Sequence, residues 1–123
     1  MKTLEKVKPA FPFEAYSHVD AAWAGAAMIC PEFRTLWEGV EAADSIVLNP
    51  HKWMGVNFDF SAHYLRDPEP LVKTLAISPE YLRTHGKGGF VNYSEWSVPL
   101  GRRFRALKLW FVLKAYGLEG LRS

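Results

Sequence analysis

The chain has a single cysteine, Cys30, so no disulfide can close within it, and so sparse a thiol content fits a reducing compartment. Cys30 itself reads either as a small buried hydrophobe or as a reactive thiol. No apolar run is long enough to span a bilayer, and Met1 is not followed by the hydrophobic stretch of a signal peptide, so the expectation is a cytoplasmic protein with no membrane partner. Charge of one sign is scarce too. Lys and Arg number 15 against 13 Asp and Glu, and the formal net charge of +2 is too small and too evenly spread for a nucleic-acid surface. Repeats and low-complexity tracts are absent. The four histidines lack ligand spacing with acids or with Cys30, so no metal is expected.

What is abundant is apolar. Hydrophobic residues make up 49% of the 123 positions and five are tryptophan, which is one domain's worth of chain with ample material for a core. Strand and helix signals alternate. A short strand is expected near Ser17 to Ala21, running into an Ala/Gly-rich turn through Gly25. Pro31 suits the first turn of a helix, where its missing N–H costs nothing, and Phe33, Leu36, Trp37 and Val40 recur at helical spacing until about Ala43. Ser45-Ile46-Val47-Leu48 reads as a buried strand and Phe58 to Leu65 as the next. Asp67-Pro68 marks a helix start with Asp as cap, leading to Leu71, Val72 and Leu75. Ser78 to Tyr93, with Gly86, Gly88 and Gly89 and no periodic apolar face, reads as a mobile loop. Arg102 to Tyr116 is a strong helix stopped by Gly117.

Two short segments carry chemistry. In Asn49-Pro50-His51-Lys52-Trp53 a lysine stands between an imidazole and an indole. An amine held against apolar or cationic neighbours gives up its proton more readily, which frees the lone pair that attacks an aldehyde. Lys52 is therefore a candidate Schiff-base lysine, although a lone lysine is far more often a solvated surface charge. In His18-Val19-Asp20-Ala21-Ala22-Trp23-Ala24-Gly25, an acid follows a β-branched residue and precedes small ones, as at the carboxyl end of a buried parallel strand where ligands collect. Asp20 would face a ligand across a floor made by Ala22, or else simply cap a turn. An acid, a small-residue floor and an imine-capable lysine are what pyridoxal phosphate (PLP) requires.

The segments HVDAAWAG, CPEFR (Cys30 to Arg34), NPHKW, NFD (Asn57 to Asp59) and PLGRRFRALKLWFVLKAYG (Pro99 to Gly117) resemble, in their order, the group II PLP-dependent amino-acid decarboxylases, specifically the aromatic-L-amino-acid branch. The resemblance implies an α/β fold, part of a fold-type I large domain whose mixed, mostly parallel sheet is flanked by helices. It divides the chain into an atypical lead-in, 1–17, and an incomplete PLP-binding portion, 18–123. The expectation is the middle portion of a much longer homodimeric enzyme, whether from a truncated gene, a gene with misplaced boundaries or a deliberate fragment, and inactive alone. The other reading is a non-catalytic remnant that acts through association or binding.

Roles carry over residue by residue. The resemblance implies that Lys52 holds the cofactor aldehyde, Asp20 keeps the ring nitrogen protonated, Ala22 leaves room for the ring, and Asn49 contacts the phosphate. His51 would lie near phosphate and substrate, Phe58 would form an apolar wall of the substrate pocket, and Gly101 would also border substrate. Tyr81 matches the loop tyrosine that protonates the carbanionic carbon after carbon dioxide leaves; phenylalanine there marks relatives that form aldehydes. His51 and Trp53 look like the aromatic branch, since histidine-decarboxylating relatives tend to carry serine in place of His51 and of Gly101. Plain structural readings stand beside these: a core histidine for His51, a turn residue for Asn49, core packing for Phe58. Arg102, Arg103 and Arg105 read as a helix face making salt bridges, which the resemblance places in a structural and dimer-interface region.

Overall fold

The computed structural model describes residues 15–76 and 91–123. They fall into two compact units: one formed by 15–66 with 104–123, the other by 67–76 with 91–103.

The first unit is built on a three-stranded mixed sheet of order β1-β2-β3, with β1 His18–Asp20, β2 Ser45–Leu48 and β3 Ala62–Leu65. β1 and β2 run parallel, with His18 opposite Ser45 and Asp20 opposite Val47; β3 returns antiparallel, with Leu65 opposite Ser45 and Ala62 opposite Leu48. Side-chain hydrogen bonds fix the register at the start of the sheet. The N–H and hydroxyl of Ser17 donate to Asp44 Oδ2 at 2.7 and 3.2 Å, and the Asp44 N–H donates to the Ser17 carbonyl at 2.9 Å. Pairing then continues past the strand ends. Ala21 N–H donates to Val47 O at 3.0 Å and Asn49 N–H to Ala22 O at 3.2 Å, which sets the two chemistry-bearing segments side by side. Ser45 is the buried polar residue of β2, and its Oγ lies 2.6 Å from His18 Nδ1, so burial leaves the hydroxyl satisfied.

Between β1 and β2 the chain forms 3-10 turns over Ala24–Ile29, Pro31–Trp37 and Val40–Ala42, the last two in place of the single helix expected from Pro31 to Ala43. Gly39 explains the break: its φ of 88° is left-handed backbone that interrupts any continuous helix. The expected strand from Phe58 starts only at Ala62, because residues 57–60 turn away from the ladder and are held by side chains instead. The last helix, α2 Arg105–Arg122, begins three residues later than expected and does break at Gly117, where φ is 64°. It packs Leu109, Val112 and Leu121 onto Ala26, Met54 and Val56, with Phe60 beside them. Arg122 fastens its far end, donating through Nε and Nη2 to Ile29 O at 3.0 and 2.8 Å. Trp110, Phe111 and Tyr116 of the same helix stay exposed.

In the second unit, α1 Glu69–Leu75 packs with the 3-10 turn Tyr93–Trp96. Asp67 caps α1 as expected, its Oδ1 accepting the Glu69 N–H at 3.0 Å, with Pro68 as the boundary residue. Arg102 Nη1 donates to Tyr93 O and Ser97 Oγ. Most of the expected loop, residues 78–90 with Tyr81, lies outside the described residues. Among those described, no helix is long and apolar enough to cross a membrane.

One position in this scaffold is set by contact distance. A Cβ on Gly25 would sit 2.7 Å from Leu48 Cδ1 and 2.9 Å from Ala21 Cβ, well inside van der Waals contact. Gly25→Ala should therefore destabilise the protein by about 1–3 kcal/mol, the usual cost of overpacking. Chemical denaturation checks this; an unchanged midpoint would show that the turn after β1 has room for a methyl group.

Candidate active site

Asp20 is the last residue of β1. Its Oδ1 accepts the Ala22 N–H at 3.0 Å, an Asx turn that folds the chain immediately after the strand. The carboxylate is thereby held at the strand's carboxyl end, and among the described residues its other oxygen takes no hydrogen bond.

Lys52 is delivered by the turn after β2. Its N–H donates to Asn49 O at 2.9 Å, the Val56 N–H donates to Pro50 O at 3.2 Å, and Pro50 is fully buried between them. Gly55, with φ 65°, closes this turn and donates to Lys52 O at 3.4 Å. The backbone of Lys52 is thus fixed while its side chain stays exposed. Asp20, Ala22, Trp23, Gly25, Trp37 and Lys52 line one cavity of about 380 Å³. The expected acid, small floor and lysine therefore meet in one space, within the size range of small-molecule sites. The Trp23 and Trp53 rings meet edge to face, with centroids 6.3 Å apart, beside it. A second, apolar cavity of about 600 Å³, lined by Phe33, Leu36, Trp37 and Trp53 among others, includes neither Asp20 nor Lys52.

The other expected residues are placed differently. Asn49 adjoins Ala22 through the backbone, and its side-chain Oδ1 is buried without a hydrogen-bond partner among the described residues. An orphaned buried amide is costly, and because its oxygen and nitrogen can be exchanged by rotation it can present a donor to an anionic oxygen. His51 is half-buried, with Nδ1 against the Phe60 backbone, and its ring meets Phe58 edge to face at 5.0 Å. Phe58 is otherwise 84% exposed. Neither ring lines the cavity shared by Asp20 and Lys52. Gly101 belongs to the other unit, and Tyr81 lies outside the described residues.

A flat aldehyde-bearing cofactor fits this donor set: an amine, a carboxylate and a small residue lining one cavity, and nearby in sequence an amide whose buried oxygen has no partner among the described residues. Trp37, Arg105 and Lys108 had no functional signal in the sequence. Trp37 read as one apolar position of a helix and Arg105 as part of a helix face making salt bridges, while Lys108 carried no reading of its own.

Comparison with known proteins agrees with the local chemistry. The pyridoxal-dependent decarboxylase conserved domain matches residues 3–123. The aromatic-L-amino-acid decarboxylase of Drosophila simulans is 57% identical over 106 residues, which is 86% of this chain and 21% of the fly protein. Among solved structures, Oryza sativa TDC with PLP and tryptamine aligns with a TM-score of 0.84 at 44% identity, over 95% of this chain and 24% of that one. The Rhodiola rosea 4-hydroxyphenylacetaldehyde synthase aligns with a TM-score of 0.79 at 39% identity, over 96% and 22%. The chain thus spans about a fifth of the length of the relatives it matches.

Proposed function

The chain belongs to the pyridoxal-dependent decarboxylase family, and on that premise we propose that it is the lysine-bearing portion of an enzyme converting aromatic L-amino acids to the corresponding amines. Its cofactor is pyridoxal phosphate. The observation that supports the reading most is that Asp20 and Lys52, from separate strand ends, line one cavity over Ala22. The proposal includes the rest of a longer polypeptide, a second copy of it, and residence in the cytoplasm.

When bound, the cofactor supplies an aldehyde carbon that captures amines and a ring that accepts an electron pair. Lys52 Nζ is the amine this chain offers. The Asp20 carboxylate favours a positive charge on a ring nitrogen at hydrogen-bond distance, a charge-assisted contact that strengthens as water is excluded. Asn49 and His51 would hold the phosphate, with His51 also near substrate, and Phe58 and Gly101 would border the substrate side chain. Tyr81 would deliver the proton from its Oη to Cα after carbon dioxide departs. His51 and Trp53 favour an aromatic side chain.

The test is an assay of the complete protein containing these 123 residues, loaded with cofactor, against aromatic amino acids, histidine and glutamate. Equal amounts of amine and carbon dioxide from an aromatic substrate are expected; turnover of histidine or glutamate alone would refute the proposal.

Likeness to an aldehyde synthase supports a second reading, in which oxygen would be consumed and aldehyde, ammonia and hydrogen peroxide released with carbon dioxide in place of the amine. Tyr81 separates the two. With tyrosine present, amine should dominate. Tyr81→Phe should shift most product to aldehyde with oxygen consumed, measured by product analysis and an oxygen electrode; a variant still making only amine would remove Tyr81 from the proton step.

A further inference from the structure

We infer that Arg105 and Lys108 are positioning residues for His51, holding the 57–60 segment whose backbone carries its imidazole. The inference rests on the proposed function in taking His51 to work at the site. Arg105 and Lys108 stand three residues apart on α2, so they share a helix face. Arg105 donates through Nε and Nη2 to Asp59 Oδ2 at 3.2 and 2.8 Å. Lys108 Nζ donates to two carbonyls of the same segment, Asn57 O at 2.9 Å and Asp59 O at 2.8 Å. The Arg105 and Asp59 side chains are only 33% and 35% exposed, which shields the pair better than an open surface contact.

The segment needs this support. β3 begins only at Ala62, so residues 57–60 lie outside the sheet ladder. Their conformation is set by what α2 grips. One residue beyond the gripped carbonyl, Phe60 presents both backbone groups to His51 Nδ1, its N–H at 2.9 Å and its C=O at 2.6 Å. When Nδ1 lacks a proton it accepts from the N–H; when it carries one it donates to the C=O. The ring is tethered at Nδ1 in either state, and Nε2 is left as the working nitrogen. The Phe58 ring, 5.0 Å away at 66°, holds the imidazole plane from the same segment. Two cations on α2 thus fix three elements of one constellation: Phe58, Phe60 and, through them, His51.

The test uses the complete holoprotein with ¹⁵N-labelled histidine, the His51 ring signals being assigned with His51→Gln. The double variant Arg105→Gln/Lys108→Met should shift both His51 ring nitrogens and lower kcat roughly ten- to a hundredfold, the scale of a misplacement near 1 Å, with cofactor occupancy little changed. Arg105→Lys keeps one donor for Asp59 and should stay within about threefold of the original kcat. A merely structural role would lower Tm yet leave the His51 signals and the kcat of folded protein unaltered; that result would overturn the inference. Should the double variant not fold, Lys108→Met alone decides by the same signals. If those signals respond but His51→Gln leaves kcat unaltered, the positioning holds, and the role given to His51 in decarboxylation falls.

Discussion

Asp20→Asn should lower turnover of the complete enzyme on the order of 10²- to 10³-fold, the scale for removing one preorganised partner of developing charge, while cofactor binding changes far less. Asparagine is the informative replacement because of what Asp20 does locally. Its Oδ1 accepts the Ala22 N–H at 3.0 Å, and the asparagine carbonyl oxygen can make the same turn. Asn therefore preserves the fold of the chain after β1 and removes only the charge. Asp20→Ala removes both and should show the same kinetic loss with an added loss of stability. If capping were all that Asp20 did, Asn would behave as the parent and only Ala would be impaired. Steady-state kinetics together with cofactor titration separate the two outcomes.

Lys52→Arg should reduce turnover by at least about 10³-fold, as expected when the residue making the covalent bond is lost. Arginine keeps the positive charge and much of the reach, but its guanidinium does not deprotonate in proteins and cannot serve as the nucleophilic amine. The fold should be indifferent to the change: the turn is held by the Lys52 backbone and by buried Pro50, and the side chain is exposed. Circular dichroism and Tm should match the parent while amine production is lost. Retained activity would mean that the exposed lysine is only a solvated charge.

Local signals were legible where a residue's own chemistry dictates its conformation. The Ser45–Leu48 strand, the Asp67 cap and the break at Gly117, beyond which helix resumes to Arg122, followed from β-branched content, a capping carboxylate and a glycine free to adopt positive φ. The convergence of Asp20 and Lys52 was legible from strand-end patterning, because parallel neighbours bring their carboxyl ends to one edge. Other features depend on contacts distant in sequence. The apolar spacing of Phe33, Leu36, Trp37 and Val40 suggested one helix, yet Gly39 splits it into tighter turns. Phe58 was expected to open the next strand, but β3 begins only at Ala62, and Asn57 and Asp59 are bound instead by Arg105 and Lys108. A pairing across some fifty positions, as between Lys108 and Asn57, leaves no periodic trace in either segment.

Reduction of the cofactor-loaded complete protein with borohydride, followed by peptide mapping, tests the central claim most directly. The pyridoxyl label should be found on the peptide containing Lys52 and on no other lysine. A label elsewhere, or none while amine is still produced, would contradict it.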